Sequence, residues 1–132
     1  MGFLGTRASS FSDIILIAQT AGSLILFSGL IYAKKKNFLK HDKMSKILVF
    51  IGSLSFLWMG YSLITNFLAF ISMTFRDLLI VSHMIIGLLA LFMGIFLVLD
   101  EIEKTKTSMR VTFVSWTGAI LLGVILYIMY IY

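Results

Sequence analysis

Four apolar runs, each long enough to cross a lipid bilayer, alternate with short connections in this chain, and that spacing decides what it can fold into. The runs are Ile14–Ala33, Ile47–Leu68, Leu78–Leu99 and Val111–Ile131. A helix rises about 1.5 Å per residue, so about 20 residues reach the roughly 30 Å of a bilayer's hydrocarbon core. Short connections make consecutive helices antiparallel neighbours. The expected fold is therefore all-α: an integral membrane, up-down four-helix bundle forming a single domain over residues 1–132.

Composition narrows the function classes. The chain is 60% hydrophobic and 13% charged, against about 25% charged in a soluble domain. Within these 132 residues the four spans take up most of the length, and no soluble catalytic domain is expected beside them. Proline is absent, so no span carries a proline kink. Cysteine is also absent. That excludes disulfides, thiolate metal ligands, Fe–S clusters, covalent c-type haem and lipid attachment through cysteine.

Charge sets an expected orientation. Lys34, Lys35, Lys36, Lys40, Lys43 and Lys46 lie in the 34–46 connection, and Lys104, Lys106 and Arg110 in the 100–110 connection. Together they are nine of the eleven basic residues, and only Arg7 and Arg76 lie on the other side. Basic loops resist translocation. The chain is expected in the plasma membrane, multi-pass, with both basic loops cytoplasmic and both termini outside. The net charge of +5 then reads as an orientation signal and a contact for anionic lipid, with no nucleic acid as partner. Arg7, Arg76 and His41 are candidate contacts for a partner subunit or for lipid. The first span is full length and meets three lysines at once, so it is expected to remain as an uncleaved anchor. Ser10 and Asp13 have capping spacing for a first helix beginning near Phe11.

Polar groups at membrane depth are costly unless paired. Gln19, Asn66 and His83 fall at similar depths on three spans and form a candidate cluster. Three uses of His83 stay open, one of them a part in moving protons. Another is a neutral imidazole hydrogen-bonded between helices. The third is a metal ligand, with Cu(I) favoured because Met59, Met73 and Met84 lie at nearby depths and thioethers suit that ion. No cofactor is otherwise expected. Bis-histidine haem is disfavoured because His41 and His83 belong to opposite membrane sides. No catalytic set of side chains stands out, so the chain is expected not to be catalytic on its own. Tyr127, Tyr130 and Tyr132 fit an aromatic belt. Small-residue stripes at Gly22/Gly29 and Gly118/Gly123 suit close helix contact, within the bundle or with a partner. For 66–77 a helix extension and a surface amphipathic turn both remain open.

Three fragments resemble a family of small archaeal and bacterial membrane proteins of unknown function, number 420. These are Gly5-Thr6-Arg7-Ala8-Ser9, the basic stretch around His41, and Ser82-His83 ahead of an apolar run and a charged loop. The genes of some members lie near those of haem–copper oxidases. The resemblance implies a non-catalytic accessory subunit of a multi-subunit membrane oxidoreductase, either a terminal oxidase or a copper-dependent monooxygenase. Its partners would be other integral membrane subunits and lipid. The alternative is a copper- or haem-handling assembly factor for such a complex. Arg7, His41 and His83 are the positions that the resemblance marks.

Overall fold

A computed structural model describes the backbone of residues 2–67 and 74–131, with the side chains of residues 66, 67, 130 and 131 outside the description. It contains α1 (Ser10–Lys34), α2 (Phe38–Ser62), a π-helical turn (Leu63–Phe67), α3 (Phe75–Val98) and α4 (Lys106–Ile131). All four α-helices are long and apolar enough to cross a membrane, and together they form the expected all-α bundle.

The basic connections are shorter than the charge pattern suggests. Lysines are good helix formers, so the helices run on into the charged segments. Only Lys35–Asn37 separate α1 from α2, which places Lys40, His41, Lys43 and Lys46 on α2. Both turns close in the same way. Asn37 N–H donates to Tyr32 O and Lys36 N–H to Ala33 O; Glu101 N–H donates to Phe96 O and Asp100 N–H to Leu97 O. This pair of bonds caps the last helical carbonyls and needs a left-handed residue in the turn. Lys36 (φ 57°) and Asp100 (φ 58°) fill that position without being glycine. Asn37 then accepts from Lys40 N–H to start α2, and Thr105 accepts from Ser108 N–H to start α4.

At the opposite end, which holds both termini, Ser9 caps α1 by accepting from Ser12 N–H. The cap therefore sits one residue earlier than the Ser10/Asp13 spacing suggests, and Asp13 is free for another use. Thr74 and Asp77 form a reciprocal capping box at the start of α3. Within 66–77, the backbone at 66 and 67 continues the π-helical turn, and residues 68–73 lie outside the described residues.

The bundle is two hairpins set side by side. α1 packs most extensively on α2, and α3 on α4, while the α2–α3 and α1–α4 seams are thinner. Small residues make the close approaches that lipid-embedded helices need. Gly22 faces Leu48, and Gly29 faces Met44 and His41. Gly123 faces the Gln19 side chain and Gly118 faces Ile86. Both glycine stripes are thus spent inside the bundle. Phe11 stacks on Trp58 between α1 and α2, with ring centroids 4.2 Å apart. Phe27 meets Phe113 edge-on between α1 and α4. Leu24, Leu57, Ile85 and Val114 are among the large apolar residues that face outward.

Candidate functional site

Three polar or hollow levels follow one another along the bundle axis. The first closes the end that holds both termini. Asp13 is completely buried. Its carboxylate accepts from Leu4 N–H at 3.0 Å, Thr6 Oγ1 at 3.1 Å and the Tyr127 hydroxyl at 2.5 Å. A buried carboxylate needs such donors to replace water. They come from the N-terminal segment and from α4, so the carboxylate ties three parts of the chain together. Gly2 lies so close that a Cβ there would collide with the Asp13 carboxylate and come within 2.9 Å of Ala8 O. Tyr127 therefore does more than anchor an interface.

The second level surrounds His83, which is 7% exposed. Its Nε2 lies 3.4 Å from Met59 Sδ across the α2–α3 seam, and the ring also faces the Ala119 backbone of α4. Gln19, Ser55, Met59 and His83 share the lining of a cavity of about 60 Å³. Gln19 and His83 are thus brought to one place, as their depths suggest, and the Asn66 side chain lies outside the described residues. Of the three methionines noted from sequence depth, Met59 is the one whose sulfur meets His83, and Met73 lies outside the described residues. No group of three or more His, Asp or Glu side chains able to hold a metal occurs among the described residues.

Trp116 separates this level from the third. Its indole crosses the bundle diagonal and lies over Gly52 of α2 and Gly94 of α3. A Cβ at Gly52 would come within 2.9 Å of Cζ3, and one at Gly94 within 3.2 Å of Nε1. At Gly52 only a residue without a side chain leaves space for a ring so placed, and at Gly94 the fit is tight.

The third level is a cavity of about 730 Å³ between Trp116 and the basic end, lined by all four helices. Ligand pockets commonly span about 300–1,000 Å³. The walls are apolar, including Leu26, Leu30, Leu48, Val98 and Phe113, and the mouth carries His41, Asp42, Lys104 and Arg110. His41 lies on a helix and not in the connection between α1 and α2. It sits in the first turn of α2, half-buried, with Nδ1 2.9 Å from the Gly29 carbonyl. That contact pins α1 to α2 beside the cavity, and it leaves His41 and His83 at different levels of the bundle. Asp42 pairs with Lys46 at 2.7 Å and Lys104 with Asp100 at 2.5 Å. The Arg110 side chain is exposed and makes neither an ion pair nor a hydrogen bond among the described residues. Arg7 and Arg76 are exposed, at the end that holds the termini.

Sequence reasoning passed over Asp13, Trp116 and Arg110 as site residues. One signal for Asp13 was present: it is the sole acidic residue before Asp42, and the antiparallel register sets the start of α1 level with the tyrosines that end α4. No family model, curated protein or solved structure matches this chain.

Proposed function

We propose that this chain is a non-catalytic membrane module that holds a lipid-soluble molecule in the cavity at its basic end. The observation that carries this reading is the cavity itself: about 730 Å³, apolar along its walls and polar at its mouth. A molecule with an apolar body and one polar end would match both surfaces. The module would sit in the plasma membrane with the basic end cytoplasmic, in keeping with its lysine-rich turns. The resemblance supports its service as an accessory subunit of a multi-subunit membrane oxidoreductase. The test is extraction in a mild detergent, followed by native gels and mass spectrometry of the intact protein. The expected result is a co-purifying lipophile together with larger membrane subunits. A bare chain that migrates alone, under conditions that keep respiratory complexes whole, overturns both parts.

The contact between His83 and Met59 favours a second reading, the copper-handling assembly factor. Imidazole and thioether both suit Cu(I). Copper bound in proportion to protein, and lost in both His83→Ala and Met59→Leu, would support it. Copper retained in both variants would refute it.

A further inference from the structure

We propose that the molecule held at the basic end is an anionic membrane lipid, with its headgroup on Arg110 and its acyl chains directed toward Trp116. This rests on the reading of the cavity as a lipophile site and adds the charge class of the occupant.

The argument begins with the ions at the mouth. Asp42 is balanced by Lys46, and Lys104 by Asp100. Arg110 also lines the cavity and has no counter-charge among the described residues. The mouth is therefore left with one uncompensated positive charge. A guanidinium presents a fork of donors suited to phosphate or carboxylate oxygens. A monoanionic headgroup balances it, and a zwitterionic head adds no net charge to do so. The neighbouring lysines do not take this role. Lys34, Lys35, Lys36, Lys43 and Lys106 do not line the cavity, and Lys40 lies over the Tyr32 ring.

Depth supports the same occupant. Arg110 and Trp116 both line the cavity and lie six residues apart on one helix, about 9 Å along its axis. The charge sits at the mouth, where the chain leaves the apolar layer, and the apolar walls extend inward from it. A lipid entering from the leaflet at that end keeps its head at headgroup level and inserts only its acyl portion. The Gly29 carbonyl is already engaged by His41, and among the described residues Arg110 is the charged side chain at the mouth without an ion pair.

Trp116 serves as the reporter. The full chain carrying Trp58→Phe, which leaves Trp116 as the single tryptophan, is reconstituted into phosphatidylcholine vesicles. Brominated phosphatidylglycerol or brominated phosphatidylcholine is added at equal mole fraction, because bromine quenches indole on contact. The anionic lipid is expected to act at about fivefold lower mole fraction, the ratio expected of one basic group at an anionic membrane surface. Arg110→Gln should abolish that preference while quenching at high lipid persists. Ala33→Phe or Thr112→Phe, each filling the cavity, should reduce quenching by both lipids to one common low level, with helicity by circular dichroism confirming the fold. Equal quenching by the two lipids in the Trp58→Phe chain, lost on filling the cavity, overturns the anionic assignment and leaves the lipophile reading standing. Quenching that filling the cavity does not change overturns both.

Discussion

The hydroxyl of Tyr127, near the end of α4, donates to the carboxylate of Asp13, in the first turn of α1, across 2.5 Å. The residues are 114 apart in sequence, and the bond fastens the first hairpin to the second. Thr6 joins it from the N-terminal segment, 3.1 Å from the same carboxylate oxygen.

Removing the phenolic donor should loosen this end. Tyr127→Phe keeps the ring and deletes one of the donors on a buried carboxylate, which leaves charge undercompensated. A melting temperature lower by several degrees is expected in detergent. Gly2→Ala should act in the same direction, since its Cβ would displace the carboxylate. An unchanged melting temperature in both variants would show that the latch does not hold the hairpins together.

The α1–α2 turn offers a stabilising change. Lys36 has a positive φ of 57°, where a side chain crowds the backbone. Lys36→Gly should relieve that crowding and add about 0.5–1 kcal/mol of stability. Lys35→Gly, at an ordinary φ of −79°, should give no such gain. Thermal unfolding of the two variants side by side distinguishes them.

Trp116 and Gly52 should be energetically coupled. Gly52→Ala places a methyl group against the indole, an overpacking that costs about 1–3 kcal/mol. Trp116→Phe alone should also destabilise, through the space it leaves. Combining the two should cost less than the sum, because the smaller ring makes room for the methyl. Strict additivity in a double-mutant cycle would show that the indole does not rest on Gly52.

Orientation can be read from accessibility. Single cysteines at Ser9 and Lys40 lie at opposite ends of the bundle. In intact cells an impermeant thiol reagent should label position 9 and spare position 40, in keeping with the basic residues clustered at one end. The reverse pattern would invert the proposed topology.

How much of this was readable from the sequence follows from the range of each interaction. Apolar runs and helix length are local properties, so the four spans and their antiparallel order were evident. Charge density marks the Lys40–Lys46 segment as loop, while its residues have good helix propensity. In the fold it is helix, closed by a tight turn at Lys36. Gln19 and His83 were placed together by depth alone, since register in an antiparallel bundle fixes height. Azimuth is not fixed in that way. Whether Tyr127 points at lipid or at Asp13, and whether Trp116 points out or over Gly52, depends on how each helix is rotated about its own axis. The cavity was hidden for a related reason: it arises from the separation of two hairpins, which no single segment encodes.

Pinning at one end and hollowness at the other give the bundle uneven compliance. Near Asp13 and Tyr127 the hairpins are bonded directly, and squeezing them together gains nothing. Toward Lys104 and Arg110 they stand around an open volume, and inward pressure from the surrounding acyl chains meets less resistance there. A change in the thickness of the surrounding bilayer would therefore be felt mainly by that half of the molecule.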